Sequence, residues 1–156
     1  MFKLEQQDEF AKGSIAGFAG AVVKYIFNEL MQFLNIAKYD NNATSITLTM
    51  TQYEHSTFYL VCFLNALFVG MIFGIIIAFV FSYIFTERFL FYKGAAIGVF
   101  IFLLNFGILS LFFNYPEDIT ALPGDMISML LSLIIYSLVT TYVLKKLQIC
   151  FKLRSE

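Results

Sequence analysis

The chain has 156 residues, 60% of them hydrophobic and only 13% charged, with a formal net charge of -1. Soluble domains run at roughly 45–50% apolar and about 25% charged residues, and a nucleic-acid binder shows a basic stripe with interleaved aromatics. Neither description fits, so the distribution of the apolar residues decides the class. No charge falls between Ser56 and Thr86, between Gly94 and Tyr115, or between Met126 and Leu144. Each stretch is long enough for a helix to cross about 30 Å of hydrocarbon, which takes ~20 apolar residues. "LFVGMIFGIIIAFVF" (Leu67–Phe81) is apolar all round, whereas a helix of a soluble bundle keeps a polar face. The expected fold is an all-α integral membrane protein. It is a single domain, 1–156, with four transmembrane helices at about 13–36, 57–85, 92–114 and 125–147, and an outer loop at 37–56.

At the start, "MFKLEQQDEF" mixes both signs, and no small-residue cleavage site follows a short apolar core. The first span is therefore expected to stay in the mature protein. That span, Gly13–Ile36, carries two charges, Lys24 and Glu29. At 100° per residue Gly13, Gly17, Gly20, Lys24, Asn28 and Asn35 fall within about 40° of one line. This stripe should face the other helices. Glu29 lies ~140° around the helix and ~7 Å further out, where it could approach a second neighbour. An intramembrane charge costs several kcal/mol and persists when paired, snorkelling or lining a wet cavity. The expected arrangement is a polar cluster inside the bundle made of Lys24, Asn28, Glu29, Asn65 and Asn105, with Ser132 and Ser137 nearby. Two roles stay open for it: neutralising charges that fix helix register, or a hydrated path.

The first outer loop contains "TSITLTMTQ" (Thr44–Gln52), in which Ile46, Leu48 and Met50 alternate with hydroxyl residues. Period two suggests an extended segment, either laid over the outer face of the bundle or offered as an edge to a partner. In the second span Cys62, Ala66, Gly70, Gly74, Ala78 and Ser82 recur every fourth residue. Lipid tails are as apolar as leucine, so membrane helices associate through small residues that let backbones approach. The ridge is expected to be a packing face, and Gly94 and Gly98 open the third span in the same way. "TERFLFYK" (Thr86–Lys93) is short enough to make spans two and three antiparallel neighbours. Before the fourth span, "YPEDITALPGD" (Tyr115–Asp125) supplies prolines to stop the third and Asp125 as an N-cap.

Orientation follows Lys and Arg in short loops. Lys3, Lys12, Arg88, Lys93, Lys145, Lys146, Lys152 and Arg154 share one side, and only Lys38 lies on the other. An up-down-up-down bundle with both termini cytoplasmic follows. Tyr39, Tyr59 and Tyr115 then mark the outer boundary, and Tyr83, Tyr92 and Tyr142 the inner one. Asp40, Glu54, Glu117, Asp118 and Asp125 make the outer side acidic, as solvated loop charge or as a cation-attracting mouth.

Chemistry-bearing motifs are scarce. The two cysteines, Cys62 and Cys150, fall on opposite sides and no CxxC occurs, which argues against a disulfide and a thiolate metal site. His55 is the single histidine, too few for a histidine metal site or a triad. No phosphate loop is present, and no pair of aspartates lies within the spans. No enzymatic activity, cofactor or metal is expected. The expected partners are the lipid bilayer and itself or another membrane protein, with no nucleic acid. The leading expectation is a non-enzymatic accessory or structural subunit acting through helix–helix association. The alternative is a small oligomeric transporter or channel lined by Lys24, Asn28 and Glu29.

"KGSIAGFAGAVVKYIFNELMQFLNI" (Lys12–Ile36), "KGAAIGVFIFLLNF" (Lys93–Phe106) and "SLIIYSLVTTYVLKKL" (Ser132–Leu147) resemble small four-span membrane proteins of Gram-positive, often spore-forming, bacteria. The resemblance implies a cytoplasmic-membrane location and no particular activity. Glu29 in the first span resembles the first-helix glutamate of small multidrug exporters, although this chain is longer and has no tryptophan. Size and phenylalanine content resemble dual-topology fluoride channels, without their Phe-Ser-Thr-Phe run.

Overall fold

The computed structural model describes residues 2–38, 55–85, 88–109 and 123–147. The alternating stretch at Thr44–Gln52, Tyr39, Asp40, Glu54, Tyr115, Glu117, Asp118, Cys150, Lys152 and Arg154 lie outside them. Among the described residues the chain is all helix with no strand: α1 Phe2–Phe33, α2 His55–Tyr83, α3 Leu90–Leu103 continued by a π-helical segment Leu104–Leu109, and α4 Pro123–Lys146. Four helices are long and apolar enough to cross a membrane, over Asp8–Phe33, Leu60–Tyr83, Leu90–Gly107 and Pro123–Lys146.

Helix ends follow local chemistry. α1 starts well before the expected position 13 and stops at Phe33, short of 36. Asn35 adopts φ 55°, and the N–H groups of Asn35 and Ile36 donate to the carbonyls of Gln32 and Met31 at 2.9 and 3.1 Å. That is a Schellman closure, in which asparagine replaces the usual glycine in the left-handed position. Asn35 therefore leaves the helical stripe on which its spacing placed it. Phe89 also has a positive φ, 59°, just ahead of α3. Asp125 does not precede α4 as an N-cap; it is the third residue of that helix, because Pro123 already supplies the fixed φ suited to a first helical turn. Its Oδ1 instead accepts the backbone N–H of Lys38 at 2.7 Å, tying the end of α1 to the start of α4.

The closest helix pairs are α1–α2, α1–α4 and α3–α4. In each, the contacts descend one helix as they climb the other, so partners are antiparallel. Gly13 meets Gly74 and Ala78, Gly17 meets Gly70 and Gly74, and Tyr25 meets Phe63 edge-to-face at 5.0 Å. Gly20 meets Tyr136 and Thr140, Gly124 meets the Ile36 carbonyl, and Gly94 and Gly98 meet Thr141 and Ser137. The short connection does not make α2 and α3 close neighbours. α2 gives its glycine ridge to α1 and α3 gives its own to α4, and large side chains such as Phe81, Phe85 and Phe102 fill the common core.

The small residues set the spacing. A Cβ on Gly13 would lie 2.7 Å from the Ile75 Cα, and one on Gly17 2.8 Å from the Gly74 Cα, besides meeting the Gly70 carbonyl oxygen. Only backbones without side chains come this close. Cys62 and Ala78 are buried on the same ridge, and Ala66 is half-buried. The opposite stripe of α2, with Leu60, Leu64, Phe68, Ile72 and Ile76, is exposed.

Candidate functional site

α4 has the most polar interior face. Ser128, Ser132, Tyr136 and Thr140 recur at helical spacing along one edge, Ser137 and Thr141 along the next, and Asp125 begins the row. All seven are at most 5% exposed. In hydrocarbon such groups must be satisfied within the protein. Ser132 Oγ donates to the Met129 carbonyl and Thr140 Oγ1 to that of Tyr136, each at 2.8 Å within the helix. Ser137 Oγ reaches the Gly94 carbonyl of α3 at 2.6 Å. Tyr136 extends its hydroxyl to the Gly70 carbonyl of α2, also at 2.6 Å.

The Tyr136 bond needs Gly20. A Cβ there would lie 2.9 Å from the tyrosine ring carbon Cδ2 and would meet Thr140 Oγ1. The missing side chain is the notch through which the ring passes α1 on its way to α2. Three helices thus meet at one phenol. The row every fourth residue, from Ser128 to Thr140, was visible in the sequence, but hydroxyls among leucines barely alter hydropathy, and only Ser132 and Ser137 were singled out there.

The charged and amide residues are distributed differently from the expected cluster. Lys24 lies one turn beyond Gly20 and is half-buried; Asn28, another turn on, is buried with 4% exposure. These two share the interior face of α1. Glu29 is exposed on the outer face instead of inside the bundle. The reason is angular: the buried positions of α1 lie to either side of the Gly20–Lys24 line, and Glu29, ~140° from Lys24, falls beyond their edge. Asn65 is half-buried on α2. Asn105 is half-buried in the π-helical segment of α3, a helix whose close contacts go to α4. Lys24, Asn28, Glu29, Asn65 and Asn105 therefore do not converge on one point.

One end of the molecule gathers cations over aromatic rings. Arg88 lies 5.2 Å from the Phe89 ring centre, Lys93 5.4 Å from Phe85, Lys145 5.9 Å from Phe91 and Lys146 5.7 Å from Tyr142. Tyr83, Tyr92 and Tyr142 are exposed at the same end. Long basic side chains that lean on aromatic faces keep their stems in apolar surroundings and their charges toward water. Among the described residues no three His, Cys, Asp or Glu side chains come together to hold a metal.

Fold and site define a class, a multi-pass all-α protein whose helices suit a bilayer. No family model matches the chain, and no curated protein or solved structure matches it.

Proposed function

We propose that the chain is a non-enzymatic subunit of the cytoplasmic membrane that acts by associating with another membrane helix through the outer face of α1. The observation that carries this reading is the placement of Glu29. Its carboxylate is exposed on a face otherwise formed by Phe18, Ile26, Leu30 and Phe33, about 6 Å below the end of the helix. Polar side chains at the lipid-facing surface of a helix are natural sites for hydrogen bonds to a neighbouring helix. The interior hydroxyls support the same reading, since four of them bond to helix carbonyls.

The helices run up-down-up-down with both ends cytoplasmic in this proposal. Lys12, Arg88, Lys93, Lys145 and Lys146 then face the cytoplasm, as the positive-inside rule requires. A photo-cross-linker at Ile26 tests the association in native membranes. A discrete protein adduct that disappears in Glu29→Leu is expected; adducts to lipid alone would overturn the proposal.

A second reading, a small transporter or channel, draws on Lys24. It is only half-buried at mid-helix, beside buried Asn28. Single cysteines at 24 and 28 separate the two. Reaction with a small aqueous thiol reagent favours a hydrated path, and silence at both positions favours association.

A further inference from the structure

At the basic end of the α1–α2 seam the small residues give way to two polar ones. Gly13 and Ala78 face each other across the seam; Glu9 lies one turn before the first and Ser82 one turn after the second. Both are 8% exposed. Each keeps one buried oxygen, Glu9 Oε2 and Ser82 Oγ, without a hydrogen-bond partner. The antiparallel register that sets Gly13 against Ala78 brings both residues to the same level of the seam. A buried carboxylate oxygen is costly to leave uncompensated.

The surroundings favour a positive occupant. Ser82 belongs to the last turn of α2, which ends at Tyr83 and has no basic residue there. A helix C-terminus presents orphan carbonyls and the negative end of the helix dipole, which repels Glu9 unless a cation lies between. Among the described residues, Lys12 pairs with Asp8, and Lys93 sits over the Phe85 ring.

We propose that Glu9, Ser82 and the last carbonyls of α2 bind a monovalent alkali cation. The donors are hard oxygens with one formal negative charge. Calcium requires six to eight oxygens, commonly from several carboxylates, and no acidic group of three exists among the described residues. The site is independent of the association proposed through α1's outer face.

The test is thermal unfolding of the full chain in nanodiscs of neutral lipid. Choline, sodium and potassium chloride are compared at equal ionic strength, which holds screening constant. A ligand that binds only the folded state raises the midpoint saturably. The wild type should rise in sodium or potassium relative to choline. The rise should vanish in Glu9→Gln, need a severalfold higher cation concentration in Ser82→Ala, and persist in Lys12→Met. Equal midpoints in all three salts, or a rise that survives in Glu9→Gln, would overturn the proposal. Should Glu9→Gln not fold, sodium NMR linewidths decide: potassium-displaceable broadening weaker in Ser82→Ala supports the site, and equal broadening in both overturns it.

Discussion

Gly17 has no room for a methyl group. A Cβ there would meet the Gly70 carbonyl oxygen and lie 2.8 Å from the Gly74 Cα, so any side chain must push α1 and α2 apart. Gly17→Val is expected to cost at least the 1–3 kcal/mol typical of overpacking, seen as a lower melting midpoint and a lost monodisperse peak in detergent. Tyr136 gives a milder and more diagnostic change. Tyr136→Phe keeps the ring in the Gly20 notch and removes only the bond to Gly70. Interhelical hydrogen bonds in membranes average about 0.6 kcal/mol, so a small midpoint drop with intact folding is expected. Thr141 should behave in the opposite way. Its Oγ1 is buried and lacks a hydrogen-bond partner, and removing such a hydroxyl recovers a desolvation cost of about 1–3 kcal/mol. Thr141→Val should be neutral or stabilising; a clear loss of stability would mean that the hydroxyl is bonded.

At the scale of elements, the end of α1 is hydrogen-bonded to the start of α4 through the Asp125 carboxylate. Asp125 is 1% exposed and accepts the Lys38 N–H. Asp125→Ala leaves that N–H unmet at a cost of about 1–3 kcal/mol. Amide exchange should accelerate at residues 36–38 before it does in the glycine seam, and uniform acceleration along α1 would contradict this account. The seam itself was legible in the sequence, because glycine and alanine every fourth residue have one physical use in lipid. Gly13, Gly17, Gly70, Gly74 and Gly98 sit where backbones close, and Gly94 where the Thr141 side chain packs against its helix. Their partners were not legible. Spacing shows that a helix has a flat face but not which helix it meets, and loop length alone paired α2 with α3. The end of α1 was half legible: asparagine is the commonest non-glycine left-handed residue, yet apolar Ile36 made the span read longer. Phe89 at φ 59° had no signal at all, since aromatic side chains do not favour that conformation.

For the whole molecule, the decisive measurement is sidedness. Single cysteines at 88 and 146 should react from the cytoplasmic face and one at 38 from the other, in right-side-out vesicles probed with an impermeant maleimide. Labelling of 38 and 146 from the same face would end the four-span topology. The apolar blocks made the helix count readable because a bilayer demands ~20 residues per crossing. The polar interior was harder: Lys24 and Glu29 stand out by charge, but whether they converge depends on helix rotation, and Glu29 proves to face outward.

The Gly20 notch also implies an order of assembly. Glycine and alanine line the closest part of the meeting of the first two helices, so that hairpin can close once both have entered the lipid. The phenol that reaches across to Gly70 belongs to α4, made after both of them, and slides in afterwards, like a bolt through a hasp. Until it arrives, the slot stands open to acyl chains, and a chain truncated before α4 would leave it so.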